Sequence, residues 1–276
     1  GSIAGGEFNV AIGNYSMDEN TSGDYNVAVG YQALTDNTTG GNNVGVGYLA
    51  LWKNTTGFYN SAVGEGALGR NTSGNRNTAV GNAALLYTTT ANSNTATGVN
   101  SLMENTTGSY NTATGDRALR DNTTGTRNIA IGYAAYDGAD TENDNLAIGY
   151  DALGGSIAGG EYNVAIGNYS MDATTSGDYN VAVGYQAMTD NTTGGNNVGV
   201  GYYALWKNTT GFYNVAVGEG ALGRNTSGTR NTAVGNAALL YTTTAVSNTA
   251  TGVNSLFYNT TGSYNTATGD RALRDN

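Results

Sequence analysis

The chain has 276 residues, with 43 Gly and 20 Tyr but no Pro, Cys or His, and a formal net charge of -10. Without Cys or His the usual nucleophile–base pairs, disulfides and soft-metal clusters are excluded, so an enzyme is not expected. Lys occurs only at Lys53 and Lys207 and no apolar run is long enough to cross a bilayer, so neither nucleic-acid binding nor membrane insertion of this segment is expected.

Along the chain the motif Asn-x-Ala/Gly-x-Gly opens at Asn9, Asn26, Asn43, Asn60, Asn77, Asn94, Asn111, Asn128, Asn145, Asn163, Asn180, Asn197, Asn214, Asn231, Asn248 and Asn265. Every spacing is 17 residues except one of 18, from Asn145 to Asn163. Sixteen such units make residues 1–276 a single continuous repeat array, with no separate globular domain. A longer period lies above this one, because residues 1–122 recur as 155–276. The super-repeat is therefore 1–154 and 155–276, the second copy incomplete, with changes such as Phe8 to Tyr162, Leu49 to Tyr203 and Ser61 to Val215. The chain opens at GSIAGG rather than Met, and neither end carries an obvious polar cap, so it reads as a window onto a longer fibre.

Numbering each unit from its Asn, positions 2 and 4 are mostly β-branched, as in Val10/Ile12, Val27/Val29 and Ile129/Ile131. Period-two alternation over a short β-prone run predicts a strand whose positions 2 and 4 face the core. Position 3 is never larger than Ala, which predicts close packing of the opposite face against a second layer or a second chain. Position 5 is always Gly and marks a bend or a positive φ. At positions 8 and 9 an Ala-Leu pair, such as Ala33-Leu34 and Ala67-Leu68, predicts a large residue filling the core beside a small one; Met17, Met171, Met188 and Tyr136 are variants of the Leu. A helical turn over residues 31–34 is conceivable, but 17 residues are too few for a full helix, a strand and two connections, so an all-β coil is expected.

Position 12 opens Asn-Thr-Thr/Ser-Gly, as at 37–40 and 54–57, and predicts the turn that closes each coil. The position 1 Asn column predicts a structural ladder of side-chain amides from coil to coil. Ten turn asparagines are also glycosylation sequons: Asn20, Asn37, Asn54, Asn71, Asn105, Asn122, Asn191, Asn208, Asn225 and Asn259. At about 4.8 Å per coil, the sixteen units would extend about 75 Å as a rod.

Other features of the sequence bear on ligands. The acidic stretch DGADTENDN offers hard oxygen donors at Asp137, Asp140, Glu142 and Asp144 that would suit Ca²⁺, although the spacing matches neither an EF-hand nor the glycine-rich calcium nonapeptides; the alternative is a solvated variant loop. Asp36, Asp116 and Asp121 read as solvated charges. Thr-Ala-Thr at 95–97, 112–114, 249–251 and 266–268 would suit ice only as an outward array, and is expected to face inward because the same positions carry Val and Ile elsewhere. Aromatics at position 17 (Tyr25, Tyr59, Tyr110, Tyr162, Tyr179, Tyr213, Tyr264) and around Trp52 and Trp206 suit either a glycan-binding strip or an amphipathic seam.

The wording NVAIGNYSM, NVAVGYQAL and NTAVGNAAL resembles the head repeats of YadA-like trimeric autotransporter adhesins, and the full NTAVGYQALxxNTTG pattern resembles repeats of bacteriophage tail fibres and bacterial surface fibres. The 17-residue unit, the Ala-Leu pair and the NTTG turn set this chain apart from the adhesin heads. The resemblance implies a parallel β-solenoid, a left-handed β-roll in a homotrimeric fibre, at a cell surface, in the extracellular space or on a virion. The expected function is the shaft of such a fibre, a rigid spacer or adhesive filament whose partner is its own kind, with cell-surface glycans or a host surface as further partners. The alternatives are a phage tail fibre shaft that binds its host and a ligand-binding solenoid for glycan, calcium or ice.

Overall fold

The computed structural model describes residues 6–138, 140–155 and 160–276. It is an all-β solenoid of sixteen parallel three-residue strands, with no helix among the described residues. The chain divides into two units, Gly1–Thr141 and Glu142–Asn276. The first holds β1 (Val10–Ile12), β2 (Val27–Val29), β3 (Val44–Val46), β4 (Ser61–Val63), β5 (Thr78–Val80), β6 (Thr95–Thr97), β7 (Thr112–Thr114) and β8 (Ile129–Ile131). The second holds β9 (Leu146–Ile148), β10 (Val164–Ile166), β11 (Val181–Val183), β12 (Val198–Val200), β13 (Val215–Val217), β14 (Thr232–Val234), β15 (Thr249–Thr251) and β16 (Thr266–Thr268). Within each unit every strand pairs with the next in register, Val27 with Val44 and Ala28 with Gly45, so each unit position forms a column along the stack.

The strand faces the other way from the sequence expectation. Position 3 points into the coil and is fully buried, as at Ala28, Ala62 and Ala216, while positions 2 and 4 point outward, with Ile12, Val63 and Ile131 among the exposed apolar residues. Size decides this, not hydrophobicity. A 17-residue coil encloses so little space that a Cβ built on Gly45 already stands 3.4 Å from Leu34 Cγ and 3.2 Å from the Ala50 carbonyl oxygen. Two β-branched side chains would not fit there. Position 3 is small because it meets its own coil's interior and not a second layer or chain, and the Thr-Ala-Thr hydroxyls at Thr95, Thr97, Thr112, Thr114, Thr249, Thr251, Thr266 and Thr268 lie on the outward face.

The interior is filled by position 3, by the Ala at position 8 and by the large residue at position 9, with Leu34, Leu51, Leu68, Met171, Met188 and Tyr136 all at zero exposure. Getting that residue inside requires left-handed backbone: Leu34 has φ 53 and Leu51 has φ 52. An L-residue held there costs about 1–3 kcal/mol, and a buried Leu returns about 1.5–3 kcal/mol. The two nearly cancel, so bonds between coils decide the balance: the Leu34 amide donates to the Ala50 carbonyl of the next coil at 3.0 Å. A Gly at position 9 would relieve the backbone and lose the core.

Gly at position 5 has a different cause. Gly30 has φ +138, and a Cβ there would stand 2.4 Å from the Gly47 carbonyl oxygen one coil on. That column must be Gly throughout, since the approach is backbone to backbone. Positions 6 to 11 form turns, with no helical turn over residues 31–34.

Candidate functional site

The densest polar chemistry lies inside the coil. At position 1, Asn26 Oδ1 accepts from the Asn43 amide N–H at 3.0 Å and from Asn43 Nδ2 at 3.2 Å, while Asn26 Nδ2 donates to the Gly40 carbonyl at 2.8 Å. Each side chain thus ties its coil to the next and to its own closing turn. The column runs through Asn60, Asn77, Asn94 and Asn111 in the first unit, and through Asn163, Asn180, Asn197, Asn214, Asn231 and Asn248 in the second. At Asn145, the 18-residue step leaves the link intact: the Asn163 amide donates to Asn145 Oδ1 at 2.9 Å. Asn9 Oδ1 accepts from Asn26, the Asn128 amide donates to Asn111 Oδ1, and the Asn265 amide donates to Asn248 Oδ1.

A second buried column runs parallel to the first, at position 12, where sequence reasoning saw only a turn. Asn37 Nδ2 donates to Asn20 Oδ1 at 2.9 Å and to the Gly40 carbonyl at 2.9 Å; Asn54 and Asn71 repeat the link at 2.8 and 2.7 Å. The sequon residues Asn105, Asn122, Asn191, Asn208, Asn225 and Asn259 belong to the same column and, like Asn20, Asn37, Asn54 and Asn71, have buried side chains. A glycan on any of these nitrogens would displace an interior hydrogen bond. Beside them, the Thr55 carbonyl accepts from the Thr38 and Thr39 amides and from Thr38 Oγ1.

The second column is interrupted where Asn gives way to Thr, at Thr88, Thr174 and Thr242. A Thr there brings no carboxamide to the column, and Thr242 Oγ1 donates to the Asn259 backbone carbonyl of the next coil at 2.8 Å instead. The atoms left without partners mark the breaks: Asn71 Oδ1 and Thr88 Oγ1, Asn225 Oδ1 and Thr174 Oγ1. Two of these units change position 15 as well, to Ala91 and Ala245. A Cβ on Gly74 would stand 2.3 Å from the Ala91 carbonyl oxygen one coil on and 2.4 Å from Asn71 Oδ1, so a carboxamide at position 12 adds a second clash to Ala at position 15, and Thr at position 12 removes that one. This covariation within the repeat is the signal that would have revealed the second column from sequence.

The outer surface is built from the remaining positions. Tyr25, Tyr59, Tyr110, Tyr162, Tyr179, Tyr213 and Tyr264 at position 17 are exposed, and Tyr162 and Tyr179 stack with ring centroids 5.0 Å apart. A longer aromatic run, missed in the sequence because it uses positions 6, 7 and 10, links Tyr150, Tyr169, Tyr185, Tyr202, Tyr203 and Trp206 with successive centroid distances between 4.1 and 6.1 Å. A hydrogen bond with Tyr203, reinforced by desolvation, pushes the Tyr202 hydroxyl up to about 12. Lys53 lies over the Trp52 ring at 4.2 Å and pairs with Asp36 at 3.1 Å; Lys207, Trp206 and Asp190 repeat the arrangement. Asp121 pairs with Arg120, and Asp116 is exposed.

Of the proposed calcium donors, Asp137 and Asp140 lie in the first unit and Glu142 and Asp144 in the second. Asp140 accepts from Thr123 through its carbonyl and carboxylate, and Glu142 is buried. Ala139 lies outside the described residues. No group of three or more acidic side chains converges to hold a metal among the described residues, whose surface has no pocket. Compared with known proteins, the chain matches no family model and no curated sequence.

Proposed function

We propose that this chain is a structural shaft segment of an extracellular or virion fibre, a rigid spacer that holds other parts at a distance. The observation that carries this reading is where the polar chemistry is spent. The buried amides bond coil to coil, so the residues that would otherwise recognise a ligand hold the stack together, and stability is a sum of nearest-neighbour terms that tolerates any number of coils. A cell-surface filament and a phage tail fibre shaft would use the same mechanics. The fibre resemblance also implies a left-handed winding and a homotrimer. Position 3 offers no contact between chains, so association of copies rests on the outward, uncharged columns at positions 2 and 4.

The test is to display the fibre with whole coils deleted in steps of 17 residues and to measure how far its tip stands from the surface. Reach should fall by about 4.8 Å per coil while binding by the tip is unchanged. Loss of binding at constant reach would replace the spacer with a ligand-binding solenoid. The outward Thr columns favour ice as the first ligand to assay in that case, by thermal hysteresis.

A further inference from the structure

Three of the differences between residues 1–122 and 155–276 introduce Tyr, and none removes one: Phe8 becomes Tyr162, Leu49 becomes Tyr203 and Glu104 becomes Tyr258. Each newcomer lands beside a Tyr whose counterpart the first copy already carries, at Tyr25, Tyr48 or Tyr87. Tyr162 stacks on Tyr179 with ring centroids 5.0 Å apart and planes within 2°, Tyr258 stacks on Tyr241 at 5.1 Å and 26°, and Tyr203 meets Tyr202 at 4.1 Å. Packing alone does not call for the added hydroxyl, since Phe8 and Tyr25 stack as well in the first copy, at 4.9 Å and 7°. Two further stacked pairs are common to both copies, Tyr31–Tyr48 at 5.5 Å and Tyr185–Tyr202 at 5.6 Å.

These phenols are open to an oxidant and have few competitors for it. Tyr162, Tyr179, Tyr185, Tyr202 and Tyr258 are exposed, and Tyr241 is half-buried. The chain has no Cys to intercept a phenoxyl radical. Thioethers are withdrawn as well: Met171 and Met188 are fully buried, and the half-buried Met103 of the first copy is Phe257 in the second. A glycan would need the ring faces, but in the stacked pairs those faces are turned on one another.

We propose that the stacked tyrosines are sites of oxidative cross-linking, at which a peroxidase using hydrogen peroxide joins successive coils of one chain through dityrosine. The pairs are Tyr31–Tyr48 in the first unit and Tyr162–Tyr179, Tyr185–Tyr202 and Tyr241–Tyr258 in the second. Each phenol gives up one electron and its hydroxyl proton, and the two phenoxyl radicals form one carbon–carbon bond between the ring carbons beside the oxygens. Each of those carbons then loses its hydrogen as a proton while its oxygen regains one, which restores both aromatic rings. The two phenols together lose two hydrogen atoms, and one hydrogen peroxide is reduced to two waters. Stacking in register holds the reacting carbons one coil apart before either ring is oxidised, so the exposed rings need only slide and turn to meet. Each link closes a loop of one coil and does for this shaft what a disulfide does in a chain that has Cys.

The full chain is treated at low concentration with a haem peroxidase and hydrogen peroxide, then denatured and cleaved at acidic residues, which separates Tyr162 from Tyr179 at Asp172. Dityrosine fluorescence and peptide mass spectrometry should find Tyr162 joined to Tyr179 within single chains, lighter by two hydrogen atoms per link. Y162F, which restores the pair that the first copy carries, should remove this link. F8Y should create a link to Tyr25 that the wild type lacks. Both changes lie at exposed rings, and circular dichroism checks that each variant keeps the fold. Oxidation in urea should lower the yield of the Tyr162–Tyr179 link about tenfold or more, because only the fold holds the rings together. A folded wild type without that link, an F8Y chain with no link to Tyr25, or a yield in urea equal to that of the folded chain would overturn the proposal while leaving the spacer reading intact.

Discussion

Joining the two runs of the position 12 column in the first unit is the sharpest perturbation of the interior. The break lies at Thr88, with Asn71 Oδ1 left unpartnered on one side and Asn105 Nδ2 bonded only to its own turn, at Gly108, on the other. T88N would supply an amide to Asn71 and a carbonyl to Asn105, two inter-coil bonds worth about 0.5–1.5 kcal/mol each. Alone it should fail, because the new carboxamide oxygen would meet the Ala91 methyl at the spacing that a Cβ on Gly74 would have from Asn71 Oδ1, 2.4 Å. Overpacking of that kind costs about 1–3 kcal/mol. A91G alone should cost about 0.5–1 kcal/mol through backbone entropy. The double variant should gain about 1 kcal/mol over wild type, with a favourable coupling of about 2 kcal/mol or more between the two changes. Urea unfolding followed by circular dichroism gives the cycle, and native-state hydrogen exchange over residues 85–105 reports the local opening that a global melt of a repeat array can miss. Additive effects, or a gain from T88N alone equal to that of the pair, would refute the steric link between positions 12 and 15.

T174N needs no second change, since Gly177 is already small; it should stabilise by about 1 kcal/mol in the same assay. Tyr202, held neutral to about 12 by Tyr203, should ionise well above its ordinary value in an absorbance titration, and Y203F should bring it back toward that value. Because its folded value lies above the unfolded value near 10, its contribution to stability is complete below pH 10 and is lost as pH rises from 10 to 12. Folded chain secreted from a glycosylating host should show unmodified intact mass at the ten turn asparagines, and a glycan on Asn37 or Asn54 in folded material would contradict their interior bonding.

The repeat made much of this fold legible. The 17-residue spacing gave the coil, the Val-Ala-Val pattern gave the strand, and Leu34 and its equivalents gave the core residue. Orientation is not legible from alternation alone, because hydrophobicity places Val27 and Val29 inside, whereas the narrow interior selects by volume and leaves them outside around a buried Ala28. The same selection turns the Thr95 and Thr97 hydroxyls outward. The left-handed backbone at Leu34, Gln32 and Asn42 has no sequence signature, because these residues give up their intrinsic preference to bonds formed only when the next coil is present. The aromatic run from Tyr150 to Trp206 escaped notice since its members occupy three unit positions that meet only after the corner is turned.

The orientation of the strand carries both the interior and the surface assigned here, and one pair of substitutions in β13 tests it. Thermal melting followed by circular dichroism should find V217K folded and close to wild type, while A216V, adding two methyl groups to a fully buried position, should lose about 1–3 kcal/mol or more. If V217K unfolds and A216V is tolerated, positions 2 and 4 face inward after all, and the account of coil, column and outer face is wrong.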